Sequence, residues 1–214
     1  MIDRENPILC YVTDRRGLSV RAGVTAETAL VEKIAAIAAA SIDWVQIREK
    51  NLPGRELAAL TREAVARRSG ARIIVNDRAD VAITEGAGGV HLGETGLPIA
   101  DVARVASRGD FLIGASCHSL EGAKAASDNG ADYIIFGPVF ATPSKANFGE
   151  PQGLKKLAAI CGAMNVPVIA IGGITLENAG ECIAGGAAGI AAIRLFQDAN
   201  DPARIVSSLK KLRR

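Results

Sequence analysis

The sequence comprises 214 residues, of which 49% are hydrophobic and 4% aromatic, with a mean hydropathy of +0.20. Lys and Arg together number 25 and Asp and Glu 23, so the formal net charge is +2. Because nucleic-acid-binding proteins carry basic surfaces and stacking aromatic side chains, this composition argues against a nucleic-acid partner. The length suits one large α/β domain, and we expect residues 1–214 to form it.

The N-terminus has no long apolar stretch behind a basic start, and no apolar run approaches the roughly 20 residues that span a membrane. We therefore expect no signal peptide and no membrane partner. The four cysteines show no CxxC spacing and lie in or beside apolar segments: Cys10, Cys117, Cys161 and Cys182. This pattern is typical of buried, reduced thiols, so we expect a cytoplasmic protein.

Eight short β-rich apolar runs recur along the chain and alternate with Ala-rich amphipathic segments. The runs cover residues 8–13, 43–48, 72–76, 89–92, 111–116, 132–137, 166–172 and 189–193. Continuous apolar strands that alternate with helices indicate a parallel sheet covered by helices. Eight such units in this length predict a (β/α)8 TIM barrel, in which the active site lies at the carboxyl ends of the strands.

Cationic, amide and carboxylate side chains follow the second and third runs. Gln46, Arg48 and Lys50 alternate, so they share one side of the chain, whereas Asn76 and Asp77 stand where the third run stops. The plain alternatives are a solvated charged strand end and an N-cap of the next helix. Two cations beside oxygen ligands are, however, what a magnesium-bound phosphate requires.

The fifth run is followed by Ser116 and His118. The chain has only two histidines, and the other one, in the segment HLGETG, also lies at a predicted strand end. Histidine is the usual general acid or base near neutral pH. Both a structural role and a catalytic role for at least one histidine are therefore open.

A long polar loop, residues 137–153, follows the sixth run and contains Thr142, Ser144 and Lys145. Hydroxyls and an ammonium group among glycines suit a loop that closes on a phosphate. An ordinary surface loop is the alternative.

The last two runs end at Gly172 and Gly173 and at Ile193 and Arg194. Loops after strands seven and eight form the usual phosphate site of this architecture, and glycine lets backbone N–H groups approach the anion closely. The barrel mouth therefore has room for two phosphorylated groups, one of them with a metal ion.

Five segments resemble the family of thiamine phosphate synthase and its relative, the thiazole tautomerase of thiamine biosynthesis. They are VQIREK, VNDRADVAITEGAGGVHLGE, IGASCHS, GADYIIFGPVFATPSK and VPVIAIGGITLENAGECIAGGAAGIAAI, in order from about Cys10 to Phe196. The resemblance implies a transferase that joins 4-amino-5-hydroxymethyl-2-methylpyrimidine pyrophosphate to 4-methyl-5-(2-hydroxyethyl)thiazole phosphate and releases pyrophosphate.

The resemblance also implies roles for the residues at the strand ends. Asp77 would hold Mg2+, and Gln46 and Ser116 would face the pyrimidine. The pyrophosphate would be gripped by Arg48, Lys50, Asn76 and Lys145. The thiazole phosphate would be held by Thr142, Ser144, Gly172, Gly173, Ile193 and Arg194. Catalytic roles are expected for Arg48, Lys50, Ser116, His118 and Lys145.

Two positions depart from the family pattern. Gly96 stands where synthases carry an aspartate as the second Mg2+ ligand, with Glu94 and Glu85 as nearby acidic residues, and Arg194 stands where synthases carry a small residue. The alternatives are thus a thiazole tautomerase-like isomerase that uses His118, or a phosphate-binding barrel without synthase activity. Asp77 and the segment GPVFATPSK favour the synthase. The sequence is also compatible with a homo-oligomer.

Overall fold

A computed structural model of the chain describes residues 6–106, 109–142 and 150–213. Over these ranges eight parallel strands close into a barrel in sequence order, with β8 pairing to β1. The strands are β1 Ile8–Val12, β2 Trp44–Ile47, β3 Arg72–Asn76, β4 Gly89–Leu92, β5 Leu112–Cys117, β6 Tyr133–Phe136, β7 Val168–Ile171 and β8 Gly189–Ala192. The predicted fold class is confirmed.

Helices lie in the connections between the strands. They are α1 Ala26–Ala39, α2 Gly54–Ala66, α3 Ala79–Thr84, α4 Ile99–Val105, α5 Leu120–Asp128, α6 Gly153–Ala163, α7 Ala179–Ala184, α8 Arg194–Gln197 and α9 Pro202–Lys210. A short 3-10 helix, Arg15–Gly17, follows β1. Within the described ranges, none of these helices is long and apolar enough to cross a bilayer.

Side chains cap the N-termini of several helices, and the apolar faces of the helices pack on the sheet. Thr25 and Ser119 accept hydrogen bonds from backbone N–H groups three residues ahead, at the starts of α1 and α5. Such caps satisfy amides that have no partner inside the helix. In α1, Leu30, Ile34 and Ile37 recur at helical spacing and are fully buried against the sheet.

The barrel interior is filled by side chains that alternate along the strands. Residues 8, 10 and 12 of β1 point into the same cluster as Trp44 of β2 and Tyr133 of β6, with residues of β7 and β8 completing it. The intervening residues pack outward against the helices. The middle of the barrel is therefore a packed core, and in this architecture ligands bind at a mouth.

The amino-terminal mouth holds a cavity of about 810 Å³. Its charged groups have structural partners: Lys210 Nζ lies 2.5 Å from Asp43 Oδ2, which also accepts a hydrogen bond from the Leu9 backbone. Arg72 donates to backbone carbonyls of Gly88 and Asp110. This end of the barrel therefore supports the fold, whereas the active site of this architecture lies at the opposite, carboxyl mouth.

Candidate active site

A chain of hydrogen bonds joins the ends of β2 and β3. Gln46 Nε2 donates to Asn76 Oδ1 at 2.9 Å, and Asn76 Nδ2 donates to Asp77 Oδ2 at 2.7 Å. Lys50 Nζ lies 3.6 Å from the same carboxylate oxygen. Four of the residues predicted to form an anion site are thus connected to one another at the carboxyl mouth.

Asp77 also connects this group to the end of β4. Its Oδ1 accepts from the Gly93 backbone N–H at 2.8 Å, and its own N–H donates to His91 O at 2.8 Å. Its φ is +60°, a left-handed conformation that aspartate tolerates better than most residues. Because α3 begins two residues later with no side-chain cap, the N-cap alternative for Asp77 is wrong.

The two cations sit at different depths. Arg48 is half-buried and its backbone N–H donates to Thr13 Oγ1 at 3.0 Å, whereas the Lys50 side chain is 60% exposed. Glu49 lies between them and is buried. Because successive side chains of an extended backbone point to opposite sides, the Glu49 side chain lies away from both cations.

His91 is the functional candidate that had no assigned role in the sequence. It lies inside the barrel with 1% exposure, its Nε2 is 2.8 Å from Ser116 Oγ, and its ring stacks on Tyr133. Burial lowers the pKa of His91 to about 4, against a smaller opposing effect of Asp77. The strand GVHL held a signal: its Val and Leu pack outward, so the intervening histidine must point inward.

Two buried polar atoms face this interior without a hydrogen-bond partner anywhere in the described part of the chain. They are His91 Nδ1 and Gln46 Oε1. Buried polar atoms are almost always paired, so each of these two atoms can still form a hydrogen bond to a ligand group or a water molecule. Ser116, half-buried on β5 beside β4, is oriented by its bond to His91.

His118 belongs to the rim of the mouth. It is exposed, its Nδ1 lies 2.6 Å from Gly137 O, and its backbone N–H donates to Glu94 Oε1 at 3.1 Å. Because a carbonyl can only accept, Nδ1 carries the proton of the neutral ring and Nε2 is the basic nitrogen.

The glycines after β7 allow the loop after β6 to pack closely. Phe140 N–H donates to Gly172 O at 3.0 Å, and a Cβ on Gly173 would come within 2.8 Å of Phe140 Cβ. Both glycines have positive φ, +98° and +63°. The structure thus gives them a packing role beside the predicted phosphate role.

Thr142 ends the described part of this loop and is half-buried, while Ser144 and Lys145 lie outside the described residues.

Arg194 follows strand eight, as predicted, but the strand is one residue shorter than the predicted run 189–193. β8 ends at Ala192, Ile193 is the N-cap, and Arg194 is the first residue of α8, with an exposed side chain. An additional short helix after strand eight is a common element of phosphate sites in these barrels. The chain turns here because Ile193 O accepts from the Gln197 backbone at 2.9 Å.

The side chains at the mouth could bind Mg2+ only in an open site, where substrate and water supply most of the ligands. Among the described residues no group of three His, Cys, Asp or Glu side chains is placed to enclose a metal. Mg2+ is commonly held by one or two carboxylates together with substrate phosphates and water, and Asp77, with its side chain 34% exposed, can supply one. A Cβ on Gly96 would lie 3.5 Å from Asp77 Oδ1, so position 96 adjoins this carboxylate.

The two alternative acidic residues differ in their availability. Glu85 is bound to Arg62 through two hydrogen bonds, at 2.9 and 3.1 Å, on the outer face of the helices. Glu94 is exposed at the mouth but accepts from the His118 backbone. Neither replaces an aspartate at position 96, so a metal here would depend on Asp77 and on the substrate.

The closed barrel, with cations, amides and a carboxylate at its carboxyl mouth, is the architecture of (β/α)8-barrel enzymes. The family model described as thiamine monophosphate synthase matches residues 13–196. The chain belongs to this family, and the predicted family is confirmed.

Individual relatives agree. The thiamine-phosphate synthase of Chlorobium luteolum is 39% identical over 206 residues, which cover 95% of this chain and 92% of that protein. The corresponding enzyme of Methanoculleus marisnigri is 45% identical over 175 residues, covering 81% and 82%. The solved structure of thiamine phosphate pyrophosphorylase from Pyrococcus furiosus aligns with a TM-score of 0.81 at 34% identity, covering 96% and 94%. The predicted assignment to a transferase of thiamine biosynthesis is confirmed.

Proposed function

We propose that this protein is a thiamine-phosphate synthase that condenses the pyrimidine pyrophosphate with the thiazole phosphate and releases pyrophosphate. The observation that carries the proposal is the hydrogen-bonded chain of Gln46, Asn76 and Asp77, with Lys50 beside it, at the carboxyl mouth. It offers amide, carboxylate and ammonium groups to one ligand within a single connected cluster.

The first half of the reaction is the departure of pyrophosphate. The bond from the pyrimidine methylene carbon to the pyrophosphate oxygen breaks, leaving a pyrimidine methyl cation and an anion whose charge must be stabilised. Fixed cations aimed at developing charge are the strongest means that a protein has for this. We assign Arg48, Lys50 and Asn76 to the departing group, together with Lys145 from the loop after β6.

The cation must be held while the thiazole nitrogen attacks it. Ser116, oriented by His91, and Gln46 line the interior where the pyrimidine would lie. The Oε1 of Gln46 is a buried acceptor without a partner in the described chain, which suits the exocyclic amine of an aminopyrimidine. The thiazole phosphate is assigned to Thr142, Ser144, Gly172, Gly173, Ile193 and Arg194, so that the nucleophile is held in line.

Magnesium is part of the proposal, with Asp77 as its protein ligand. When bound, the ion would neutralise charge on the pyrophosphate oxygens. Asp77 would hold it through a carboxylate that Gly93 N–H and Asn76 keep in position. A cytoplasmic location and a homo-oligomeric state stay predictions.

The test is an assay with both substrates and Mg2+, in which thiamine phosphate is measured. We expect one thiamine phosphate for each pyrophosphate released. No product at high enzyme concentration, combined with isomerisation of the thiazole carboxylate phosphate, would overturn the proposal in favour of a tautomerase. In that case His118→Asn should abolish the isomerisation, because Nε2 of His118 is the basic nitrogen at the rim.

A further inference from the structure

Glu49 occupies a position where a carboxylate is unexpected. It lies between Arg48 and Lys50, the two cations assigned to the pyrophosphate, and a carboxylate that faced the mouth would repel that anion. Instead Glu49 is only 5% exposed and points away from the mouth, toward the loop after β1. Burying a carboxylate is costly unless it is hydrogen-bonded, so its partners define what it does.

Within the described part of the chain, the partners of the Glu49 side chain belong to residues 13–17, which we name the β1 loop. Glu49 Oε1 accepts from Thr13 Oγ1 at 2.7 Å and from the Arg15 backbone N–H at 3.0 Å. Its Oε2 lies 3.8 Å from Arg15 Nε. Burial raises the pKa of Glu49, while these hydrogen bonds and the Arg15 charge act in the opposite direction.

The Thr13 hydroxyl connects Glu49 to the backbone of Arg48. Thr13 Oγ1 accepts from Arg48 N–H at 3.0 Å and gives its own proton to Glu49, and Thr13 is completely buried. The direction of the hydroxyl is therefore determined by Glu49. Consecutive hydrogen bonds of this kind strengthen one another in a low-dielectric interior.

The β1 loop is held on its other side by α8. Gln197, 4% exposed, accepts from Tyr11 Oη at 2.8 Å and from the Asp14 backbone at 3.2 Å, and donates to Asp14 O at 3.0 Å. The loop is thus tied on one side to the cations and on the other to the helix that begins with Arg194. These bonds to Gln197 fix the β1 loop, so it cannot readily move together with residues 48–50.

We propose that Glu49 is a positioning residue, which fixes Arg48 and Lys50 toward the pyrophosphate by holding Thr13 beneath the backbone of residue 48. The inference rests on the proposed function, because that proposal assigns pyrophosphate as the ligand of Arg48 and Lys50. Glu49 itself does not contact the substrate. Its influence passes through Thr13 and the backbone.

The test compares Glu49→Gln and Thr13→Val with wild-type protein, using inorganic pyrophosphate in MgCl2 buffer as the calorimetric probe. We expect the Kd of pyrophosphate to rise by about tenfold in Thr13→Val, the typical effect of losing a buried hydrogen bond, and severalfold in Glu49→Gln, whose amide oxygen still accepts from Thr13 but without the charge. The KM for the pyrimidine pyrophosphate should rise with it, whereas the KM for the thiazole phosphate should not. Thr13→Ser, which keeps the hydroxyl, should recover most of the affinity.

Two comparisons separate positioning from a general structural role. Glu27 also pairs with Arg15, at 2.5 Å, but on the outside and without contact to Thr13, so Glu27→Gln should bind pyrophosphate like wild type. In an Arg48→Ala background, Glu49→Gln should add little further loss, because coupled residues are not additive. Additive losses, equal effects on both substrates, or an unchanged Kd in both Glu49→Gln and Thr13→Val would overturn the inference.

The Glu49 inference and the proposed function can fail separately. A wild-type protein that makes no thiamine phosphate, yet binds pyrophosphate with this pattern of variants, would refute the proposed function and leave the positioning role standing. If Glu49→Gln does not fold, the comparison of Thr13→Val with Thr13→Ser decides, since both keep the carboxylate in place.

Discussion

Trp44 and Tyr133 contact each other across the barrel, with ring centroids 4.7 Å apart and planes tilted by 57°. They are the first residues of β2 and β6, and each follows an aspartate whose Oδ2 accepts a hydrogen bond at 2.7 Å from the strand before it, Asp43 from Leu9 and Asp132 from Ile113. β2 and β6 are thus both preceded by an aspartate that bonds the previous strand, and both begin with an aromatic residue. The aromatic pair closes the interior below the site.

Tyr133 leaves no space for a side chain on the neighbouring strand. Gly114 pairs with Tyr133 in register, and a Cβ at position 114 would collide with its ring. We predict that Gly114→Ala lowers the free energy of unfolding by about 1–3 kcal/mol, the usual cost of overpacking. Urea denaturation measures it. Gly162→Ala in α6, where a Cβ meets nothing within 4 Å, is the control and should not destabilise; equal losses in both would contradict the packing argument.

Asp77 carries the charge of the predicted metal site, and removing that charge should remove activity. Asp77→Asn keeps the left-handed backbone that Asp and Asn both tolerate and can still accept from Gly93 N–H. We expect the synthase rate to fall by about 100-fold or more, as for other charge-stabilising groups. Steady-state assays over a range of Mg2+ concentrations check this. Near-normal turnover in Asp77→Asn would refute the metal role.

Gly96 offers the converse experiment. A Cβ there would lie 3.5 Å from Asp77 Oδ1 and 3.0 Å from Gly93 O, and its φ is not in the left-handed region. Gly96→Asp should therefore add a second carboxylate beside the first and lower the half-saturating Mg2+ concentration severalfold, since ligand charge increases affinity. Gly96→Asn has the same shape without the charge and serves as the control. An unchanged Mg2+ dependence in Gly96→Asp would count against this metal geometry.

Much of the fold and part of the site follow from alternation along the strands. Eight apolar runs predict the barrel, and Gln46, Arg48 and Lys50 share a side because they are two residues apart. Asn76 and Asp77 come to the same mouth because parallel strands end at one edge. These inferences need only local geometry and the rule for the position of barrel active sites.

Other features depend on contacts between distant loops and could not be predicted. The bond from Gly93 to Asp77, the burial of Glu49 under Thr13, and the packing of Phe140 on Gly172 each join different loops. The predicted run 189–193 extends one residue beyond β8 because the apolar pattern continues to Ile193, whereas the backbone turns into a helix at that residue. His91, by contrast, could have been recognised from the sequence, because it alternates with Val90 and Leu92 and therefore points into the barrel.

His91 should make stability depend on pH. Its folded pKa is about 4, below the ordinary 6.5, so between these values the unfolded state binds more protons. Its contribution, roughly 3 kcal/mol, is therefore present above pH 6.5 and is lost as pH falls toward 4. Urea unfolding at a series of pH values measures the slope. His91→Gln should flatten this part of the curve, and an identical slope in that variant would contradict the prediction.

The close contact of Gly173 with the loop after β6 predicts a substrate-selective defect. A Cβ at position 173 would collide with Ala141 O and come within 2.8 Å of Phe140 Cβ, and the φ of +63° is itself unfavourable for alanine. Gly173→Ala should displace the loop that carries Thr142. We expect the KM for the thiazole phosphate to rise by about tenfold or more, as when small misplacements disturb substrate alignment.

The control for Gly173→Ala separates backbone strain from collision. Gly153 also has a positive φ, +76°, but a Cβ there meets nothing within 4 Å. Gly153→Ala should cost stability through strain alone, about 1 kcal/mol, and leave the KM for the thiazole phosphate near the wild-type value. If both variants raise this KM equally, strain is the cause. If Gly173→Ala leaves it unchanged, the loop after β6 does not depend on this contact for binding the thiazole phosphate.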